Sequence, residues 1–273
     1  MSLALKGTLV LVGAGKMGGA MLEGWLKSGA DPKKIVVLDP FISSEMKALL
    51  AKHKVRLNPV IANIKNAEVV LIAVKPQMME EVLPTVVELG ASKPLILSVA
   101  AGKTIASFER HFGKSAAIIR TIPNTPASIG RGITAMSANP NVSPAQLKLA
   151  TELLSAIGEV VSVDREELID CVTAVSGSGP AYVFYMTECL AAAAEKIGLP
   201  PPLAMQLACA TVAGSGELMR LTGTDAATLR QNVTSPNGTT HAALQVLMAE
   251  NGLQTLFEKA VKAAADRSRE LAS

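Results

Sequence analysis

The chain has 273 residues, enough to bury a substantial core as one large domain or two of moderate size. Its net charge of +3 arises from 26 basic and 23 acidic residues scattered without long runs, and aromatic residues make up only 3%. This excludes a basic nucleic-acid footprint, a base-stacking platform and a cationic membrane-binding face.

Cys171, Cys189 and Cys209 show no CxxC spacing and stand in apolar stretches. They are therefore expected to be buried, reduced thiols, with no metal site and a cytoplasmic setting. The N-terminal apolar run lacks a basic leader and passes straight into a glycine motif, so no signal peptide is expected. The uncharged stretch 197–216 approaches membrane-spanning length. Pro200-Pro201-Pro202 and Gly214-Ser215-Gly216 bracket it, which predicts a buried helix rich in small residues and no membrane partner.

In chain order, "TLVLVGAG", "KIVVLDP", "EVVLIAVKP", "PLILSVAAG", "AAIIRTIPN", "GITAMSA" and "EVVSVD" read as strands, the early ones too uniformly apolar for a sheet with one wet face. Helical patterns at 17–27, 43–52 and 78–89 lie between the first few. That alternation is the mark of βαβ units and a parallel sheet covered by helices. After Asp164 the strands stop, and Ala, Leu, Met and Glu recur at helical spacing, with breaks at 176–180, 198–202, Gly223 and 235–238. The predicted fold class is α/β: a Rossmann-type dinucleotide-binding domain over 1–164, then an all-α domain over 165–273. The second domain is so rich in alanine, and so short of polar positions, that burial in a homodimer is expected.

The glycine motif Gly13-Ala14-Gly15-Lys16-Met17-Gly18 follows a strand and opens a helix, the context in which GxGxxG holds a dinucleotide. Gly13 allows the tight turn, Gly15 the approach of a pyrophosphate, and Gly18 close helix–strand packing, with the helix N-terminus facing the anion. Asp39, at the end of the second strand, would bond ribose hydroxyls and repel a 2′-phosphate. Lys33, Lys34, Ser43 and Ser44 nearby could instead serve a phosphate, so NAD and NADP both stand as candidate cofactors. The ends "AVKPQ", "SVAAG" and "RTIPNTP" also fall at the carboxyl edge of the sheet, where such folds bind ligands.

Six motifs in order, "VGAGKMGGAM", "AVKPQ", "SVAAG", "RTIPNTPASIGRGIT", "AVSGSGPAYVF" and "NVTSPNGTTHAAL", make the chain resemble the pyrroline-5-carboxylate reductases over nearly its whole length. The resemblance implies NAD(P)H-dependent reduction of (S)-1-pyrroline-5-carboxylate to L-proline, the final step of proline biosynthesis. It also implies a helical domain that intertwines with its twofold mate, often within a ring of dimers. By the same likeness, Ala73, Lys75, Ala100 and Asn124 line the nicotinamide side of the cofactor site, Asn232 reaches the cofactor, and Glu166 lies near the substrate ring. Asp39 departs from the serine, threonine or arginine common there. Asn237 replaces a common glycine, so a left-handed asparagine is expected.

A small imine with a carboxylate needs an anion clamp and a hydrogen-bonding group at the ring nitrogen. A helix start can supply the clamp through its free N–H groups. Ser235 and the N–H groups of Gly238, Thr239 and Thr240 are assigned to the carboxylate, with the Thr240 hydroxyl at the nitrogen as the catalytic contact; simple N-capping is the alternative for the threonines. His241 has no counterpart in the family and is given no role. Ser176 either contacts substrate or cofactor or belongs to a helix break that ends at Pro180. A β-hydroxyacid dehydrogenase would need a mid-helix lysine, but the helical stretch 180–197 carries only Lys196 near its end. A redox sensor that binds nucleotide without turnover would have no use for the threonine-rich turn.

Overall fold

The computed structural model describes residues 3–272; Met1, Ser2 and Ser273 lie outside the description. The described chain divides into two compact units, one formed by the residues up to Gly177 together with those from Ala265 onward, the other by Ser178–Ala264. The expected division, 1–164 and 165–273, differs from this one. Residues 165–177 fold onto the first unit because Ile169 packs with Ile122 and Ala135, and Glu166 and Asp170 pair with Arg120.

The first unit is built on an eight-stranded sheet. Its strands are β1 (Thr8–Val12), β2 (Ile35–Leu38), β3 (Arg56–Leu57), β4 (Ala67–Ile72), β5 (Leu95–Ser98), β6 (Ala117–Ile122), β7 (Gly132–Ala138) and β8 (Gly158–Ser162). They lie in the order β3-β2-β1-β4-β5-β6-β7-β8. Every neighbouring pair is parallel except β6 and β7. The helices of this unit are α1 (Lys16–Lys27), α2 (Ser44–His53), α3 (Met79–Val86), α4 (Ile105–Phe112), α5 (Pro144–Ser155) and α6 (Leu168–Val172).

Every expected strand is present, and β3 is a short addition. In β1, Leu9 and Leu11 enter one core with Trp25, Leu50 and Leu153, while Val10 and Val12 enter another with Met79, Leu83 and Phe108. Alternate residues face opposite sides of a strand, so a strand covered on both faces must be apolar throughout. Each such aliphatic side chain contributes about 1.5–3 kcal/mol on burial. The helix expected over 78–89 ends at Val86 and continues as a tighter turn over Val87–Ser92. Pro84 lies inside it, has no N–H to donate, and weakens the ladder there.

The second unit consists of α7 (Gly179–Lys196), α8 (Pro201–Thr222), α9 (Ala226–Asn232), α10 (Thr239–Leu247) and the first part of α11 (Leu253–Ala272). Pro180 sits in the first turn of α7, as its fixed φ allows, and a π-helical turn over Thr173–Gly177 precedes that helix. Tyr182 and Phe257 meet edge to face at 6.3 Å. Among the apolar residues of this unit only Ala191, Ala204 and Ala208 are buried, whereas Phe184, Leu190, Leu207 and Leu218 are exposed.

Two expectations of burial are not met within a single chain. The helix that contains most of 197–216 is largely exposed, because within its own unit no further layer of helices covers it. Cys171, Cys189 and Cys209 are free and exposed: Cys189 and Cys209 lie on the uncovered α7 and α8, whereas Cys171 is the exposed neighbour of the buried Ile169 and Asp170 in α6. No described helix is long and apolar enough to cross a membrane.

Candidate active site

Strand order reverses between β1 and β4, and a crevice opens at their carboxyl ends, as open α/β sheets require. The two ends are tied together, since the Ala73 N–H donates to the Val12 carbonyl at 2.7 Å. Gly13 turns with φ +91°, and a Cβ on it would stand 2.9 Å from the Ala73 oxygen, so no other residue fits there without strain. Gly18 faces the Gly13 carbonyl, and its missing Cβ lets α1 lie against β1.

Gly15 differs from both. A Cβ there would meet no protein atom within 4 Å, so the fold itself makes no demand for glycine. Gly15 is also the N-cap of α1, with no side-chain cap on the helix. An exposed, uncapped helix start preceded by a tight glycine turn offers free N–H groups and positive dipole to a pyrophosphate, and leaves room for it. Lys16 is exposed beside it, and Met17 is half-buried against the core. The residues present therefore fit a dinucleotide.

Asp39 lies where the second-strand acid is expected, but it also belongs to the loop: its Oδ2 accepts the Ala14 N–H and its Oδ1 the Phe41 N–H, each at 2.8 Å. A cavity of about 710 Å³ is lined by Gly13, Gly15, Asp39, Ala73 and Lys75, among others. Ala100 is buried at the end of β5, and its N–H donates to Ser98 Oγ at 3.2 Å. Asn124 uses its Oδ1 to accept the Ile133 N–H at 3.0 Å, which ties the turn after β6 to β7.

Glu166 is held within the protein through one of its two oxygens. Its Oε1 accepts from Arg120 Nη1 at 3.0 Å and from the Ile105 N–H, at the start of α4, at 2.8 Å. Arg120 is 3% exposed and also reaches Asp170 at 3.5 Å, and Asp170 in turn accepts from Ser268 Oγ at 2.7 Å. Sequence reasoning missed this cluster. Its signal was an arginine in the middle of an apolar strand, which needs buried partners. Ser176 donates back to the Val172 carbonyl at 3.2 Å within the π-helical turn.

The threonine-rich turn belongs to the second unit. Asn232 ends α9 and is exposed, and Asn237 takes φ +60°, the expected left-handed asparagine. The N-cap of α10 is Gly238, and no side chain caps the helix, so N-capping does not account for Thr239 and Thr240. The Gly238 N–H is spent on the Ser235 carbonyl at 3.1 Å, which removes one of the expected clamp donors and leaves those of Thr239 and Thr240. Ser235 Oγ lies against Gly238, where a Cβ would collide with it. Thr240 is half-buried and Thr239 exposed. His241 Nε2 meets Gln245 Nε2 at 3.0 Å and lines a cavity of about 410 Å³ that none of the clamp residues line.

One further group holds the helix that leads into this turn. Asp225 caps α9 by accepting the Thr228 N–H at 2.9 Å and the Thr228 hydroxyl at 2.6 Å. The hydroxyl bond first, then the N–H bond, holds its carboxyl below the ordinary value. Among the described residues no group of three His, Cys, Asp or Glu side chains could hold a metal ion.

Known proteins resemble this chain along nearly its whole length. A family model for pyrroline-5-carboxylate reductase dimerisation matches residues 166–271, and one for coenzyme F420-dependent NADP oxidoreductase matches 8–102. The pyrroline-5-carboxylate reductase of Pseudomonas aeruginosa is 39% identical over 97% of this chain and 96% of that protein. That of Synechocystis sp. is 41% identical over 96% and 97%. A solved structure of the enzyme from Coxiella burnetii superposes with a TM-score of 0.91 at 35% identity, covering 98% of this chain and all of that one. One from Plasmodium falciparum with NADP bound gives 0.81 at 26%, covering 98% and 99%. With its glycine crevice, its uncapped helix start and this likeness along almost its entire length, the chain belongs to the pyrroline-5-carboxylate reductase family.

Proposed function

We infer that this chain is an oxidoreductase that reduces (S)-1-pyrroline-5-carboxylate to L-proline with NAD(P)H, the last step of proline biosynthesis. The observation that carries this reading is the start of α10: a helix N-terminus without a side-chain cap, set in a turn of serine and threonine, on a chain that also holds a dinucleotide crevice. An anionic substrate suits the first, and a nicotinamide cofactor the second.

The reaction adds a hydride to the imine carbon and a proton to the ring nitrogen, converting C=N to CH–NH. The reduced nicotinamide, when bound, supplies the hydride. The chain's own work is binding and orientation. We assign the substrate carboxylate to the N–H groups of Thr239 and Thr240 with the Ser235 hydroxyl, and the Thr240 hydroxyl to the ring nitrogen. Gly238 shapes the turn, because its own N–H is internal. Ala73, Lys75, Ala100 and Asn124 border the nicotinamide end in this reading, and Asn232 contacts the cofactor. Glu166, held by Arg120 through Oε1, is assigned to the substrate ring, and Ser176, bonded back to its own turn, to the substrate side of the site.

The exposed apolar faces of α7 and α8 support a homodimer formed through the helical unit, which a ring of dimers would extend. Free, unpaired cysteines fit a reducing cytoplasm. The decisive experiment follows NADH and NADPH oxidation in the presence of pyrroline-5-carboxylate. Turnover with at least one is expected, and none with either overturns the assignment.

A further inference from the structure

The end of β2 is more heavily anchored than a simple strand end. The Asp39 N–H donates to Asn58 Oδ1 at 2.7 Å, and Asn58 Nδ2 donates to the Asp39 carbonyl at 2.9 Å. Asn58 also donates its own N–H to the Val37 carbonyl at 2.8 Å. Its side chain thus continues the β2–β3 ladder by one rung, using an amide in place of a peptide group. It does so at φ +46°, a conformation asparagine tolerates better than most residues.

This clamp fixes the backbone of Asp39, whose carboxylate spans two loop N–H groups, those of Ala14 and Phe41. A carboxylate oxygen accepts about two hydrogen bonds, so each Asp39 oxygen keeps capacity for a hydroxyl donor. Asp39 and Asn58 line the same cavity of about 710 Å³, as do the exposed Phe41 and the acidic Glu81. A ribose diol can donate to such a fixed anion, but a phosphate at the 2′ position meets like charge. Of the nearby groups that could serve a phosphate, Lys34 Nζ already donates to the Leu5 carbonyl and Ser43 Oγ already accepts the Met46 N–H as the cap of α2, and none of Lys33, Lys34, Ser43 and Ser44 lines this cavity.

We propose that Asp39, positioned by Asn58, makes the nucleotide site select NADH over NADPH. The proposal rests on the cofactor role of the glycine crevice and is independent of the imine. Asn58 is a positioning residue, because it acts on the nucleotide through Asp39.

The test is equilibrium binding to the full-length protein with no imine present, in which NADH and NADPH are titrated and the fluorescence of the reduced nicotinamide is followed. NADH is expected to bind tighter by about tenfold or more. Asp39→Ser should bring the two affinities within about twofold of each other, because the like-charge repulsion is gone. Asn58→Gly keeps the left-handed backbone accessible and removes only the clamp, so it should weaken NADH several-fold while NADPH changes little. Equal or tighter NADPH binding by the unaltered protein would overturn the proposal. Equal losses for both nucleotides in Asn58→Gly would reduce Asn58 to general support and overturn its part. Binding of neither nucleotide would overturn the cofactor role of the crevice, whereas an absence of imine turnover alone would leave the ratio standing.

Discussion

Gly18 faces the carbonyl of Gly13 so closely that a methyl group on its Cα would overlap the oxygen, whereas the same group on Gly15 would touch nothing. Two glycines of one motif are therefore there for different reasons. Gly18→Ala should destabilise the protein by about 1–3 kcal/mol through overpacking. Gly15→Ala should lower stability by no more than about 1 kcal/mol, as a weaker N-cap, yet reduce nucleotide binding at least tenfold by crowding the pyrophosphate. Thermal denaturation alongside nucleotide titration separates the two, and a large loss of stability in Gly15→Ala would contradict the distinction.

Thr240→Val retains shape and the backbone N–H but removes the hydroxyl. Turnover should fall by about a hundredfold, with nucleotide affinity unchanged. An unaltered rate would remove Thr240 from the mechanism. Loss of nucleotide binding as well would mean the substitution had disturbed more than the substrate turn.

Arg120 is nearly inaccessible and answers both Glu166 and Asp170. Arg120→Met leaves two carboxylates without their cation and should cost about 3–5 kcal/mol in urea denaturation. The change is expected to exceed that of Glu166→Gln, which keeps a hydrogen-bonding partner in place. If the two are equal, the charge of Arg120 is not what stabilises the cluster.

Asp225 supplies a pH-dependent cap. Its carboxyl is held below the ordinary value by the Thr228 hydroxyl and N–H, so the folded state favours the ionised form. The stabilisation is full above the unfolded carboxylate pKa and is lost as pH falls through the lowered folded value. Asp225→Asn should flatten that acid dependence for the helix leading to Asn232, as read by amide exchange in α9. Identical acid profiles for the two proteins would show that the cap does not hold this helix.

The helical unit predicts a mass of at least two chains in light scattering at micromolar concentration. Phe184→Glu with Leu190→Glu, both on exposed positions of α7, should shift that mass towards one chain. A monomeric unaltered protein would refute the homodimer.

Much of the first unit was legible because a strand covered on both faces must be apolar, and β1, β4 and β5 are so apart from Thr8, Glu68 and Ser98 near their ends. The glycine turn was legible because its φ requirement and close contacts exclude other residues. Even α5 carried a readable signal, the capping box of Ser143 and Gln146. What could not be read was partnership. Nothing local says that Glu166 answers Arg120, 46 residues earlier, or that Asn58 clamps Asp39 from 19 residues away. The exposure of Cys189 and Cys209 escaped for a related reason: apolar neighbours in sequence imply burial only when something covers them.

The first unit takes its last buried side chains, Ala265 and Ser268, from the far end of the chain. During synthesis, Asp170 is made almost a hundred residues before the hydroxyl that donates to it. The sheet can form on the ribosome, but its final contacts wait until residue 268 has emerged, so a stalled or truncated chain presents an unfinished acidic cluster to quality control. Completion of this cluster thereby follows the synthesis of every helix before α11.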